Sequence, residues 1–252
     1  MFLPFQILKM YQFDKSKENI LSILNSKTKI ENKTSIPVSE SQFTYENGIT
    51  TWVGALFVDI VKSSRLFKYP NENTARIIRS FCSEIISILR DDENFREIGI
   101  RGDCVYCIYS VSYQNDLVKI FHQACRINSF IKLLNKLLIK KGFTSIQAGI
   151  GLGCSPSLII KAGQSGTGIN DRIWIGKSVV DASHISNMTN RNGIHSIGMS
   201  PVFYNNIIDN LCKKYPSYKG RIFSHVSFNG TIDFYHCNIT EIDFDRWIGQ
   251  YG

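Results

Sequence analysis

The chain has 252 residues, 43% hydrophobic and 12% aromatic, enough to bury a substantial core as one domain or two. Its formal charge of +8 suits a polyphosphate or an acidic partner, but Lys and Arg form no dense run with interleaved aromatics, which counts against nucleic-acid binding. No segment approaches ~18 consecutive apolar residues and the N-terminus lacks a signal-peptide pattern, which excludes a membrane-spanning helix. Seven scattered cysteines imply no disulfide framework and predict a cytoplasmic protein.

The N-terminal part of the chain predicts a leader. Residues 13–26 carry apolar side chains at helical spacing with Lys and Glu between them, which indicates a short amphipathic helix. Residues 27–48 are rich in Lys, Asn, Ser and Thr and predict a mobile or extended connector. We therefore assign residues 1–49 to the leader and residues 50–252 to a single domain that includes a C-terminal β-hairpin.

The first predicted strand of the domain, Thr51 to Ile60, contains an acid in an apolar run. Burying Asp59 there is costly unless a cation neutralises its carboxylate. After the strand, Lys62 and Ser63 begin what reads as a helix start, where free amides and a cation can receive an anion. Taken alone, the acid can also be a cap of that helix.

A helix over residues 71–90 and a hairpin over 95–111 follow, and the hairpin turns at Gly102 and Asp103. If the two acids end neighbouring strands, their oxygens converge, and Mg²⁺ and Mn²⁺ prefer oxygen ligands. Side chains two apart on a strand share a face, so Phe57 accompanies Asp59 and Arg101 accompanies Asp103. The alternatives are a tight Gly-Asp turn, core packing for Phe57 and a surface ion pair for Arg101.

The rest of the chain alternates between helices and strands. Helices are predicted over 115–141, 177–188 and 201–211, and strands over 145–153, 158–162, 172–176 and 194–197, with a terminal hairpin over 223–228 and 231–236 that turns at Asn229-Gly230. Gly149, Gly151 and Gly153 alternate along one strand, which lets a ligand or another backbone approach, or marks a bulge. We predict a ferredoxin-like α/β fold, a mixed and mainly antiparallel sheet with helices on one face.

Three blocks resemble, in order, a class III nucleotidyl cyclase, most closely the pyrimidine cyclases of bacterial Pycsar anti-phage defence. Residues 57–60 are similar to the first metal-binding strand of that family, and residues 101–103 to the hairpin that holds the second metal ligand. Residues 147–154 and 174–184 are similar to its Gly-rich strand pair and its dimer-facing helix. Together the blocks cover about residues 50–211.

This resemblance implies a mechanism and a set of partners. Asp59, Asp103 and the backbone carbonyl of Ile60 would hold two Mn²⁺ or Mg²⁺ ions, and UTP or CTP would become a 3′,5′-cyclic nucleotide plus pyrophosphate. The implied substrate contacts are Phe57, Lys62, Ser63, Arg101, Lys177, Asp181 and His184. The family's active sites form across a head-to-tail homodimer, and the product would activate a cyclic-nucleotide-binding effector that kills or stalls an infected cell.

The helix after Gly176 departs from the family pattern. Class III enzymes usually place a base-selecting Asp after this Gly, then an Asn and an Arg that orient ribose and stabilise the transition state. Here those places hold Lys177, Val180 and His184. Asp181 or Asn187 are the candidates to compensate after a shift of register.

Two other hypotheses remain open at this point. The departures favour a catalytically silent, cyclase-like nucleotide sensor, whereas the two retained aspartates favour turnover. An RNA-binding ferredoxin-like module would present aromatics on the sheet surface and bind in a salt-sensitive manner. Acids on that sheet would repel phosphates unless metal ions were present.

Overall fold

The computed structural model describes residues 11–218, 222–228 and 232–252. The strands in these ranges form one mixed sheet. The strands in these ranges are β1 Lys29–Asn32, β2 Asn47–Ile60, β3 Phe95–Arg101, β4 Cys104–Ser110, β5 Ala148–Gly163, β6 Asn170–Ile175, β7 Ile197–Met199, β8 Ser224–Phe228 and β9 Ile232–Cys237. Their order is β3-β4-β2-β5-β7-β9-β8, with β1 beside β2 and β6 beside β5. The β1–β2 and β5–β7 pairs are parallel and the other pairs antiparallel, which confirms the predicted mixed, mainly antiparallel sheet.

The helices connect and cover these strands. In the described ranges they are α1 Phe13–Asn25, α2 Ser63–Phe67, α3 Glu72–Leu89, α4 Gln114–Lys140, α5 Lys177–Met188, α6 Pro201–Lys214 and α7 Ile242–Tyr251. Within this part of the chain, none of them is both long and apolar enough to cross a membrane.

The two faces of the sheet have different surroundings because side chains alternate along each strand. On β2, Leu56 and Val58 point into the main core, which α3, α4 and α6 cover. Phe57 and Asp59 point to the opposite face, where helix α5 lies against strand β5. The expectation that the helices cover a single face is therefore wrong for α5, and this helix turns the second face into a cleft.

Three glycines in β5 allow α5 to lie directly on the strand. A Cβ at Gly151 would overlap the backbone carbonyl of Ala182, and a Cβ at Gly149 or Gly153 would overlap another carbonyl oxygen of the same helix. Any other residue at these positions would push the helix away from the sheet. Of the two sequence-based readings of the alternating glycines, close approach of another backbone is confirmed.

Strand β5 is continuous where the sequence predicted two strands, over 145–153 and 158–162. Its middle contains Pro156, which lies opposite Trp52 of β2. The carbonyl of Trp52 accepts a hydrogen bond from the amide of Val111, on the other side of β2. Because the Trp52 carbonyl is bonded on that other side, residue 156 does not have to donate a backbone hydrogen bond to it. Proline, which lacks an N–H, therefore does not interrupt the strand.

The connector predicted over residues 27–48 is extended, and it packs on the domain. Strand β1 pairs in parallel with the start of β2. Ile36 and Phe43 are only 1% and 2% exposed and lie in a second hydrophobic cluster. The later part of the predicted leader, from Lys29 onward, therefore packs on the domain assigned to residues 50–252.

The C-terminal hairpin is present as β8 and β9, and its predicted Asn229-Gly230 turn lies outside the described residues. Helix α7, which the sequence did not predict, follows the hairpin and docks on α4. Arg126 donates to Glu241 at 2.8 Å and Lys132 to Asp245 at 2.6 Å. These ion pairs hold the end of the chain against the longest helix.

Gly151→Ala should lower the free energy of unfolding by roughly 3 kcal/mol, because its Cβ overlaps the α5 backbone. Denaturant unfolding measures the change. Gly249→Ala is the control, since a Cβ there meets nothing within 4 Å, and it should be neutral or stabilising by up to about 1 kcal/mol. Equal stability of the two variants would contradict the packing argument.

Candidate active site

Two carboxylates from neighbouring strands converge at one edge of the cleft face. Asp59 is opposite Cys104 in the β2–β4 register, so Asp103, in the turn before Cys104, lies beside it. Gly102 has a φ of +64°, a left-handed conformation that suits glycine in this tight turn. Burial raises the pKa of Asp59, and the neighbouring negative charge of Asp103 raises it further. The structure thus brings together the two acids that the sequence singled out.

Arg191 is a basic residue that contacts Asp59. Its Nη2 donates to Oδ2 of Asp59 at 2.8 Å, and its Nη1 donates to the carbonyl oxygens of Ser186 and Thr189 at 2.9 Å each. This ion pair partly offsets the upward shift in the pKa of Asp59 that burial and Asp103 cause. A positive charge is therefore already built into the protein beside the first aspartate.

The donor set fits a hard divalent cation that shares its ligands with a substrate. Within the described residues, His, Cys, Asp and Glu side chains form no group of three or more that could hold a metal ion alone. Mg²⁺ and Mn²⁺ commonly take one or two carboxylates and complete their shell with water and substrate phosphates. Asp59, Asp103 and the carbonyl of Ile60, at the end of β2, supply oxygens of this kind.

A cleft of about 460 Å³, here called the main cleft, opens between the sheet face and α5. Four predicted site residues line it: Phe57, Asp59, Arg101 and His184. Arg101, the last residue of β3, is exposed, whereas Phe57 is half-buried. The main cleft thus combines one of the converging acids, a cation and an apolar wall, which suits a nucleotide.

The apolar wall of the main cleft is held by hydrogen bonds to one acid. The rings of Phe57 and Tyr106 stack with centroids 5.2 Å apart and planes 16° apart. Glu97 accepts hydrogen bonds from the Tyr106 hydroxyl at 2.7 Å and from the Trp174 indole nitrogen at 2.8 Å. Gly99 makes this possible, since a Cβ there would overlap the Tyr106 ring. Burial, together with the bond to Glu97, raises the pKa of Tyr106, so the phenol stays neutral.

Lys177 and Asp181 lie in a different place from the aspartates of the same protomer. They line a second cleft, of about 530 Å³, between α5 and the start of α6. His184 borders both clefts. Burial raises the pKa of Asp181, and electrostatic interaction with Lys177 and His184 opposes this shift. Within one protomer, the predicted residues on α5 are therefore divided between two clefts.

The predicted phosphate contacts at Lys62 and Ser63 follow directly after the metal-ligand strand. Lys62 is exposed, with a left-handed φ of +56°, and Ser63 starts the five-residue helix α2. Neither side chain lines the main cleft. Their role in binding phosphate stays a prediction.

Sequence reasoning missed Arg191, Glu97, Tyr106 and Trp174. Tyr106 could have been found, because it lies two residues after Cys104 on the cleft-facing side of β4. Glu97 and Trp174 are on strands that the sequence predicted, but their convergence depends on how β3 and β6 meet over the cleft. Arg191 is in a loop whose sequence carries no local signal.

This fold is that of class III nucleotidyl cyclases. The adenylyl cyclase CyaB from P. aeruginosa superposes with a TM-score of 0.62 at 16% identity, over 78% of this chain and 98% of that one. A class III adenylyl cyclase-like ATP-binding protein from Pseudomonas aeruginosa gives 0.62 at 17% identity, over 79% of this chain and 45% of that one. A guanylyl cyclase gives 0.60 at 12% identity, over 77% and 95%. At these identities the likeness establishes the fold and confirms the predicted architecture.

Two curated relatives define the family more closely, and both are named uridylate cyclase. The protein from Treponema porcinum is 39% identical over 246 residues, 97% of this chain and 83% of the relative. The protein from Gulbenkiania mobilis is 30% identical over 207 residues, 79% of this chain and 80% of the relative. No protein-family model matches the chain. The chain belongs to the uridylate cyclase family and is a nucleotidyl cyclase, which leaves the RNA-binding hypothesis without support.

Asp103→Asn should raise the free energy of unfolding of the metal-free protein at neutral pH by roughly 0.5–1 kcal/mol, because it removes the like charge beside Asp59. An acid whose pKa rises on folding costs stability above that pKa, so the gain is full at neutral pH and disappears as acid protonates Asp59. Urea unfolding in the presence of a chelator, at neutral and at acid pH, measures the gain in stability and its loss in acid. Asp243→Asn, which neutralises an exposed acid in α7, is the control, and an equal response of both variants would contradict the coupling.

Proposed function

We propose that this protein converts UTP into 3′,5′-cyclic UMP and pyrophosphate. The observation that carries the proposal is the convergence of Asp59 and Asp103 at the end of an aromatic cleft. The relatives that share 39% and 30% identity are named for uridylate, which supports a pyrimidine substrate and favours UTP over CTP.

Two divalent ions, Mn²⁺ or Mg²⁺, would be held by Asp59, Asp103 and the backbone carbonyl of Ile60. When bound, such ions lower the pKa of the attacking ribose 3′-hydroxyl and stabilise the charge of the leaving pyrophosphate. The β2–β4 register fixes the two carboxylates beside each other before any ligand arrives. This preorganisation supports phosphoryl transfer, which depends mainly on positioning and electrostatic stabilisation.

The remaining residues of the main cleft would position the nucleotide. The stacked rings of Phe57 and Tyr106 offer a flat apolar surface for a base. Arg101 would contact the base or sugar, as the resemblance implies, and it is exposed at the end of β3. Lys62 and Ser63, immediately after the metal-binding strand, would receive phosphates.

The complete site would include a second protomer. Lys177 and Asp181 line the second cleft, away from the aspartates of their own chain, so they need another route to a substrate. A head-to-tail homodimer supplies it, because each protomer then presents its α5 to the nucleotide held by the partner. Lys177, Asp181 and His184 would contact that nucleotide in place of the usual base-selecting and transition-state residues.

The proposed biological role follows from the resemblance to Pycsar cyclases. The cyclic nucleotide would act as a second messenger in anti-phage defence within the cytoplasm. It would activate a cyclic-nucleotide-binding effector that kills or stalls the infected cell. The protein would therefore act on its effector through the product.

One observation favours a silent nucleotide sensor as the second candidate. Val180 is apolar and 51% exposed on α5, where the family usually places an Asn. His184 stands where the family usually has an Arg. The retained pair of acids argues for turnover, because a sensor has no need to hold two like charges together.

Asp59→Ala combined with Asp103→Ala should reduce cyclic UMP formation by about a thousandfold or more, because both metal-binding carboxylates are lost. Purified protein with Mn²⁺ is incubated with UTP, CTP, ATP and GTP separately, and the products are resolved by chromatography. Asp243→Ala, which removes a remote exposed carboxylate, should retain full activity. Turnover of no triphosphate, with binding of UTP intact, would replace the proposal with the sensor.

A complementation experiment tests the shared site. The Asp59→Ala/Asp103→Ala protein and a Lys177→Ala/His184→Ala protein should each be inactive, since each lacks one half of the site. After subunit exchange, an equal mixture should recover roughly one quarter of wild-type activity, because half of the dimers are mixed and each has one intact site. Absence of recovery in verified heterodimers would show that both halves act within one chain.

A further inference from the structure

The ion pair between Arg191 and Asp59 is a partly buried contact across the site. The two side chains are 21% and 13% exposed, and the Nη2–Oδ2 distance is 2.8 Å. One oxygen of the first aspartate is therefore already engaged by a cation. A metal ion that uses both oxygens of Asp59 has to displace the guanidinium from Oδ2.

The position of Arg191 is fixed by the end of helix α5. Its Nη1 donates to two carbonyl oxygens, of Ser186 and Thr189, at the C-terminal end of that helix, where a positive charge is favoured. Thr189 is fully buried, and its hydroxyl bonds to carbonyl oxygens of α5 and to that of Ile150 in β5. The guanidinium is thus held against a rigid helix end.

The loop around Arg191 is shaped to present it. Asn190 and Asn192, on either side, have left-handed φ values of +56° and +51°, and Gly193 follows at +82°. The side-chain Nδ2 of Asn190 donates to the carbonyl of Ala148 at 3.1 Å, which ties the loop to the start of β5. Left-handed conformations cost free energy for residues other than glycine, and such positions cluster at functional sites.

We propose that Arg191 is a positioning residue that supplies the counter-charge of Asp59 in the metal-free enzyme and competes with one divalent ion for its Oδ2 oxygen. The proposal rests on the metal site of the proposed function. With Arg191 in place, the Asp59 carboxylate is held in one orientation and screened from Asp103 until the metal and nucleotide arrive. Arg191 thereby links metal binding to the C-terminal end of α5, the helix that carries Lys177 and His184.

The test measures metal affinity in the absence of nucleotide and turnover. Arg191→Ala should tighten Mn²⁺ binding by about five- to tenfold in a calorimetric titration, because the competing cation is gone. The metal-free variant should also unfold more easily than the wild type, and Mn²⁺ should restore more of its thermal stability. Arg191→Lys, which keeps the charge, should bind Mn²⁺ nearly as the wild type does.

Arg126→Ala is the matched control. Arg126 also bridges two elements through ion pairs, at 2.7 Å to Asp91 and 2.8 Å to Glu241, and its side chain is 34% exposed. It lies on α4, which covers the sheet face opposite to that of Asp59. Its loss should reduce stability without changing Mn²⁺ affinity. In an Asp59→Asn background, Arg191→Ala should have a smaller effect on thermal stability than in the wild type, since the ion pair is absent and only the bonds to the α5 carbonyl oxygens are lost.

The outcomes separate this inference from the proposed function. Wild-type protein that neither binds Mn²⁺ nor turns over UTP overturns both. Wild-type protein that does both, with Mn²⁺ affinity unchanged or weakened by Arg191→Ala, would show that Arg191 only caps helix α5. If Arg191→Ala does not fold, Arg191→Gln provides the same comparison, because it keeps a donor to the carbonyl oxygens but carries no charge.

Discussion

The close approach of helix α5 to strand β5 is the constraint on which the rest of the site depends. Because positions 149, 151 and 153 are glycine, no side chain separates β5 from α5, and the helix backbone lies directly on the strand. One side of α5 then walls the main cleft, and the other side lines the second cleft. The C-terminal end of the helix places Arg191 against Asp59. A single packing contact thus positions the α5 residues that line both clefts and the arginine that pairs with Asp59.

The electrostatics of the site oppose stability and favour function. Asp59 is buried and lies beside Asp103, and both conditions raise the cost of its charged form. A fold selected for stability alone would replace one of these acids or separate them. The protein instead keeps both and brings an arginine from a distant loop, which lessens the cost without removing the acids. An unfavourable electrostatic energy of this kind is expected where a cation or a reacting group is to be bound.

The sequence predicted what local chemistry determines and missed what depends on distant contacts. Asp59 was visible because an acid stands out in a buried strand with a two-residue period. The break predicted near Pro156 was wrong because hydrogen-bond pairing on β2, absent from the local sequence, decides whether proline is tolerated. Arg191 was missed because it is 132 positions from Asp59 and meets it only after α5 docks. Helix α7 was not predicted although it has an apolar face, on which Ile248 is buried and Phe244 packs against the main core.

The arrangement of the main cleft bears on how a base is selected. By the resemblance to class III cyclases, the α5 positions that select the base and stabilise the transition state in that family correspond to Lys177, Val180 and His184 of this chain. On the sheet face, Glu97 accepts hydrogen bonds from Tyr106 and Trp174. The ring of Tyr106 also stacks on that of Phe57. Gly99 leaves room for the Tyr106 ring to lie over β3. Under the proposed function, the sheet face would therefore supply the surface on which the base packs, and α5 would supply the charged groups that contact the nucleotide.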